Sequence, residues 1–262
     1  MTSSRILTLS FILDLSLISS VRINHLAVPE VVKQGQSAIL DCDYSVDGQK
    51  DDGLVVKWFF NENPYPVYQW IPYGKPQELG VLKGRLNLDY VAASGPFSQH
   101  RALLITRVGV ELSGNYTCSV STFVDEDSRT KSLLVFAPGK EMELRIFYAQ
   151  DENARHRVVC EVDEVFPRPT MRISINESEA KNATLTVAAR RDGFFDVELV
   201  AELPELPDGT RFACELYIPR ANYTVKKEVV AYGLDSVPRA SSWRTSALPC
   251  WSLMTVLSRL IL

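Results

Sequence analysis

The sequence predicts an all-β protein made of two tandem β-sandwiches, each closed by one inter-sheet disulfide. Cys42 and Cys118 are widely spaced, Trp58 lies in an apolar run between them, and Tyr116 stands two residues before the second cysteine. A second pair of cysteines, Cys160 and Cys214, follows at a shorter interval. The 262 residues have room for two sandwiches of about 100 residues each.

The order cysteine, tryptophan, tyrosine, cysteine is typical of an immunoglobulin sandwich. In that fold the disulfide joins the two sheets, and the tryptophan packs on the disulfide. The tyrosine hydroxyl bonds to backbone at the turn before the second cysteine. The pattern therefore predicts a protein that works through surfaces that contact other proteins, rather than through a catalytic cleft.

Residues 21–138 are predicted to form a variable-type domain, because the long interval between Cys42 and Cys118 leaves room for two extra strands, C′ and C″. Apolar residues recur at every second position, as a half-buried strand requires. The predicted strands are B around Ala38–Tyr44, C at Val55–Phe60, E around Leu103–Val108, F at Tyr116–Phe123 and G at Lys131–Phe136. A hairpin tip at Asp125–Ser128 is expected to join F to G.

Residues 139–233 are predicted to form a constant-type domain, because the interval from Cys160 to Cys214 suits seven strands. Ile173 stands where the core tryptophan would be, and Phe212 replaces the tyrosine two residues before the second cysteine. Both are expected to lie in the core, as are Trp58 and Tyr116 in the first domain. The segment 137–139, Ala-Pro-Gly, is expected to be a short linker between the domains.

The two ends of the chain predict export. Residues 1–20 have the order of a secretory signal peptide, with Arg5, an apolar run and then Ser19-Ser20. Residues 234–262 are a polar stalk followed by an apolar tail that contains Cys250, the unpaired fifth cysteine. The tail favours a glycolipid (GPI) anchor signal, with a secreted protein and a short membrane span as the alternatives. The predicted location is thus extracellular, either secreted or at the cell surface.

Export makes N-glycosylation possible at four Asn-X-Ser/Thr sequons. The asparagines are Asn115, Asn176, Asn182 and Asn222.

Neither an enzyme nor a cofactor or metal site is predicted. The three histidines, His25, His100 and His156, lack the spacing of metal ligands, and no phosphate-binding loop or nucleophile elbow is present. The acidic groups at 47–52 and 125–127 are interpreted as solvated loops rather than calcium sites. A balance of 28 basic against 32 acidic residues, with no basic block, disfavours nucleic acid as a partner.

With these motifs the chain resembles the insect beaten-path family of tandem variable-plus-constant immunoglobulin proteins. The matching stretches are GQSAILDCDY (35–44), VKWF (56–59), VYQWIP (67–72) and SGNYTCSVS (113–121). The resemblance implies recognition and adhesion at neuronal surfaces, as in axon guidance, with sidestep-type immunoglobulin receptors as partners.

The predicted partner-binding surface is the outer face of strands G, F, C and C′ of the first domain. Side chains that alternate with the inward Trp58 and Cys118 should point outward. The candidates are Lys57, Phe59, Tyr68, Trp70, Ser119 and Ser121. For Tyr68 and Trp70 the alternative is a place in the core. Besides another ectodomain, the alternatives are a second copy of the chain, in a homodimer or homophilic contact, and a microbial surface bound by a soluble immune protein.

Overall fold

The structure, a computed structural model, describes residues 20–46, 53–151 and 154–232. The predicted signal peptide up to residue 19, the acidic residues at 47–52, and the C-terminal tail with Cys250 lie outside the described residues.

Strands β1 to β9 form the first sandwich. Their bounds are β1 Val21–Ala27, β2 Val31–Lys33, β3 Ala38–Val46, β4 Val55–Phe60, β5 Tyr68–Trp70, β6 Gln77–Glu78, β7 Leu103–Ile105, β8 Gly114–Ser121 and β9 Glu126–Pro138. One sheet has the order β1-β3-β7, and the other runs β9-β8-β4-β5-β6, with β2 parallel to β9. Strand β3 shows why the sheets pack, since Ala38, Leu40 and Cys42 are buried at every second position.

The first disulfide joins the two sheets, as the sequence predicts. Cys42 of β3 is bonded to Cys118 of β8, with their Cα atoms 6.4 Å apart. Trp58 lies opposite Cys118 in the register of β4 with β8 and is fully buried. The buried Tyr116 hydroxyl donates a hydrogen bond to the backbone oxygen of Leu112 at 3.0 Å. The cysteine, tryptophan and tyrosine positions thus fulfil the roles that the immunoglobulin pattern assigns to them.

Strands β10 to β17 form the second sandwich. Their bounds are β10 Glu143–Phe147, β11 His156–Phe166, β12 Thr170–Ile175, β13 Ser178–Glu179, β14 Ala183–Ala189, β15 Phe195–Leu203, β16 Thr210–Ile218 and β17 Tyr223–Ala231. Strands β14, β15, β11 and β10 pair in that order on one side, and β13-β12-β16-β17 form the other sheet. Three short 3₁₀ turns, at Gly80–Leu82, Val110–Leu112 and Pro219–Ala221, complete the regular structure of the described residues.

The core of the second sandwich repeats the plan of the first with smaller side chains. Cys160 of β11 is bonded to Cys214 of β16, which confirms the second predicted disulfide. Ile173 lies opposite Cys214 in register, as Trp58 lies opposite Cys118. Ile173 is 1% exposed, and Phe212, two residues before Cys214, is fully buried. An aliphatic side chain therefore occupies the position of the tryptophan.

The segment expected to be a linker belongs instead to a strand that both sandwiches share. Ala137 and Pro138, the last residues of β9, pair with Phe166 and Val165 of β11. The expectation fails because these residues have backbone partners in the second sandwich. Strand β9 consequently supplies side chains to both cores, with residues 133 and 135 in the first and residue 136 in the second.

Gly139 ends this shared strand at a place where a side chain does not fit. Its φ of +87° lies in the left-handed region, and a Cβ there would be 2.6 Å from the Val162 side chain and 2.7 Å from the Asp163 backbone oxygen. The close approach lets the chain turn directly into the second sandwich, where the Lys140 N–H donates to the Asp163 oxygen at 2.9 Å.

Candidate recognition surface

The outer side of the sheet β9-β8-β4-β5-β6, called here the front face, carries the predicted partner-binding positions. Because Trp58 points into the core, its neighbours Lys57 and Phe59 point outward from β4, and both are half-buried. On β8, Thr117 and Ser121 are half-buried on the same side. Lys57, Phe59 and Ser121 therefore lie where the sequence predicts them, at the surface.

Tyr68 and Trp70 are not on this surface, and their prediction as partner contacts is wrong. They are 2% and 1% exposed, because both point inward from β5 while Gln69 between them points outward. The Tyr68 hydroxyl donates to the His100 backbone oxygen at 2.7 Å, and burial raises its pKa. Trp70 Nε1 donates to the Gly74 backbone oxygen at 3.2 Å. Both aromatic side chains belong to the core of the first sandwich.

Ser119 is also unavailable to a partner, contrary to the prediction. It points toward the front face but is only 5% exposed. Its hydroxyl donates a 2.6 Å hydrogen bond to Glu126 on the neighbouring strand β9. The hydrogen bond between β8 and β9 thus covers Ser119, although its side chain points outward. The alternation of side chains along β8 does not by itself reveal this cover.

An exposed apolar group lies at one end of the front face, and the prediction omitted it. It comprises Ile71 (51% exposed), Tyr73 (84%), Phe123 (83%) and Val124 (75%), and is called here the apolar tip. Strands β5 and β8 both end here, at the end of the sheet where β4 begins. The last residue of β5, Trp70, pairs with Val56, and the last residue of β8, Ser121, pairs with Val55. Since β5 and β8 flank β4, the two parts of the tip leave the sheet about 10 Å apart.

The Phe123–Val124 part of the tip is held by a tight turn. The Thr122 N–H donates to the Asp125 backbone oxygen at 2.8 Å, and the Thr122 hydroxyl accepts from the Val124 N–H at 3.4 Å. The Phe123 ring lies directly over Gly53, where a Cβ would be 2.6 Å from the ring. Gly53 also has a φ of +76°, so the glycine serves both the backbone turn and the position of the ring.

The acidic segment after the turn is part of a strand, not the solvated hairpin tip that the sequence predicts. Strand β9 begins at Glu126, because Ser121 pairs with Glu126 and the turn lies at residues 122–125. Asp125 Oδ2 accepts from the Val21 N–H at 2.8 Å, and Asp127 Oδ2 accepts from the Ile23 N–H at 2.7 Å. These carboxylates attach β1 to the edge of the sheet. Within the described ranges, no group of three or more histidine, cysteine, aspartate or glutamate side chains is placed to hold a metal ion.

The four predicted glycosylation asparagines are all exposed. Asn115 lies on β8 of the first sandwich, and the other three belong to the second. They are Asn176 between β12 and β13, Asn182 just before β14, and Asn222 just before β17. Over residues 20–46, 53–151 and 154–232, no helix is long and apolar enough to cross a bilayer.

Comparison with known proteins identifies the fold. Residues 28–131 match the Immunoglobulin domain family, so the first sandwich contains an immunoglobulin domain. No curated protein sequence matches the chain.

Similar solved structures extend over both sandwiches. Bovine butyrophilin is 16% identical, with 82% of this chain and 99% of that chain covered and a TM-score of 0.62. A structure of ICOS in complex with ICOS-L and an anti-ICOS-L VNAR domain is 16% identical, with 76% and 98% covered and a TM-score of 0.56. The mouse nectin-like molecule 4 ectodomain is 15% identical, with 78% and 65% covered and a TM-score of 0.55. At such identities the likeness shows the shared fold alone.

Proposed function

We propose that this protein is an extracellular recognition protein that binds the ectodomain of another protein through the apolar tip and the adjoining part of the front face. The second sandwich would act as a spacer. The observation that carries the proposal is the apolar tip, since Tyr73, Phe123 and Val124 are each at least 75% exposed at one end of a sheet. Exposed aromatic and aliphatic side chains gathered in one place mark protein interaction sites.

The geometry of the tip supports this role. The turn at 122–125 is closed by hydrogen bonds, and Asp125 binds the backbone of β1, so Phe123 and Val124 are held in place before a partner arrives. A surface that is ordered in advance loses less conformational entropy on binding. The half-buried Ser121, which ends β8 beside the tip, supplies a polar border on the adjoining part of the front face.

The location rests on separate support. Each sandwich contains one disulfide, as expected of an exported protein, and the predicted signal peptide precedes both sandwiches. Among the similar structures, one contains ICOS in complex with ICOS-L, a contact between two proteins. The resemblance to the beaten-path family makes sidestep-type receptors the first partners to test, and axon guidance the setting. No catalytic role is proposed.

The test of this function is binding to a panel of ectodomains. The full chain is produced in a eukaryotic secretory host and captured on beads by an antibody against the second sandwich. The probes are multimerised immunoglobulin-family ectodomains, including sidestep-type receptors and the chain itself, since multimers reveal weak contacts by avidity. For a probe that binds, replacing Phe123 and Val124 with aspartate is expected to reduce binding by about tenfold or more.

Tyr65→Asp is the matched control, because Tyr65 is 77% exposed but lies between β4 and β5 at the opposite end of the front face. It should leave binding unchanged. The reverse result, with binding lost in Tyr65→Asp and kept in the tip variant, would move the site to the other end. A folded, glycosylated chain that binds no probe would overturn the proposed class of partner and favour a microbial or other non-protein ligand.

We also propose that a glycolipid anchor replaces the apolar tail and attaches the protein to the cell surface. The small residues and polar spacer before the tail support this, as does removal of the odd Cys250 together with the tail. Treating expressing cells with a phosphatidylinositol-specific phospholipase is expected to release the protein into the medium. Protein that stays on the cells would contradict the anchor, and protein already in the untreated medium would show secretion.

A further inference from the structure

The sequon at Asn115 is distinct from the other three because it lies on the front face itself. On β8, Tyr116, Cys118 and Val120 are buried in the core, so Asn115 and Thr117 project from the outer side of the sheet. Asn115 pairs with Ser132 of β9, and Thr117 pairs with Phe59 of β4. The asparagine is thus a diagonal neighbour of Phe59, one of the surface positions on the face.

The side chain of Asn115 has the atom needed for modification available. Its Oδ1 accepts a 2.7 Å hydrogen bond from the Ser132 hydroxyl. Within the described residues, its Nδ2 has no hydrogen-bond partner, and the residue is exposed. An N-glycan is attached to Nδ2 and leaves the amide oxygen in place, so the bond from Ser132 can persist in the glycosylated protein.

The chemistry is ordinary oligosaccharide transfer during export, from a lipid pyrophosphate-linked oligosaccharide. A bond forms between Asn115 Nδ2 and C1 of the first sugar, and the bond from C1 to the phosphate oxygen breaks. The lipid pyrophosphate leaves, and Nδ2 loses one proton. The transfer needs the sequon, which Thr117 completes.

We propose that Asn115 carries an N-glycan that covers the part of the front face around Phe59 and Thr117. Asn115 is six positions along β8 from Ser121, which lies beside the apolar tip, a distance of about 20 Å. The glycan therefore leaves the tip open while it shields the opposite half of the face. It directs a partner to the tip and prevents two copies of the first sandwich from packing with their front faces together.

The effect of the glycan on partner binding rests on the proposed function. The test of the glycan shield itself needs no partner, so the shield and the proposed function can fail separately. The full glycosylated chain is compared with Asn115→Gln and with the matched control Asn222→Gln, which removes a sequon from the second sandwich. Peptide mass analysis measures occupancy at Asn115. Acylation of the Lys57 amine by a bulky ester then reports access to the front face, with the exposed Lys83 of the first sandwich as the internal reference.

Asn115→Gln is expected to raise the labelling of Lys57 relative to Lys83 by about threefold or more, whereas Asn222→Gln leaves the ratio unchanged. Removing the glycans from the folded natural chain with a peptide N-glycosidase should give the same rise, which covers the case in which Asn115→Gln folds poorly. An unmodified Asn115 peptide would overturn the inference. Equal Lys57 labelling with and without the glycan would do the same.

Discussion

Replacing Cys42 and Cys118 together with alanine is expected to lower the free energy of unfolding of the first sandwich by about 4 kcal/mol. The bridge closes a loop with a sequence separation of 76 residues, so its loss frees a long segment of the unfolded chain. It also joins β3 to β8 across the two sheets, and both residues are fully buried. Denaturation in urea, followed by tryptophan fluorescence, measures the change, because Trp58 and Trp70 both lie in the first core.

The matched control is the corresponding replacement of Cys160 and Cys214 in the second sandwich. That bridge spans a shorter separation of 54 residues and lies in the other core. Its loss should shift the unfolding transition of the second sandwich, measured by circular dichroism, more than the transition of the first sandwich, measured by tryptophan fluorescence. An unchanged fluorescence midpoint after loss of the first bridge would contradict the assignment of Cys42–Cys118 as a major source of stability.

Replacing Trp70 with alanine is expected to lower the free energy of unfolding by about 3–5 kcal/mol, the range for removing a large aromatic side chain from a core. Trp70 is 1% exposed, its ring lies 5.6 Å from that of His100, and its Nε1 donates to the Gly74 backbone. The substitution leaves a cavity and deprives a backbone oxygen of its donor. The same urea experiment measures this change through the tryptophan fluorescence that remains, to which the buried Trp58 contributes.

Ile71→Ala is the control for this prediction, because the next residue along the chain is 51% exposed. It should change the free energy of unfolding by no more than about 0.5 kcal/mol. If Trp70→Ala folds with unchanged stability and loses partner binding instead, the aromatic side chain belongs to the recognition surface and not to the core.

The residues that position the fold were predictable because several signals coincide at them. Cys42, Trp58, Tyr116 and Cys118 have the spacing typical of an immunoglobulin sandwich, and the structure places all four in one core. The second core was predicted from weaker signals. There Ile173 and Phe212 hold the register positions of the missing tryptophan and tyrosine, which the spacing from Cys214 already indicated.

The candidate site was less predictable, for a physical reason that β5 illustrates. A strand of only three residues gives little information about which side faces inward. The polar Gln69 between Tyr68 and Trp70 was nevertheless a usable signal, since alternation puts both aromatic residues on the side opposite to the glutamine. The hydrogen bond between Ser119 and Glu126 could not be predicted, because it depends on where β9 begins relative to β8.

The apolar tip was missed because Phe123 was assigned to the end of a strand. The signal that could have found it is the pair Phe123-Val124 between Thr122 and Asp125. Threonine and aspartate favour a turn at these positions. Two apolar residues inside that turn are not required by the turn itself, and they lie outside the strands whose side chains form the core. In the structure both side chains are exposed.

The strand shared by the two sandwiches determines how the protein would respond to mechanical tension. With the proposed partner at Phe123 and the proposed anchor beyond the second sandwich, a pull would act along β9, which starts just after the tip and ends at Pro138. Strand β9 is held lengthwise by β8 and β2 in the first sandwich and by β11 in the second. A pull along the strand is carried by its covalent backbone, so the hydrogen bonds that hold β9 in the sheets are not peeled apart one at a time. Tension would therefore pass between the two sandwiches without stretching a loose segment between them.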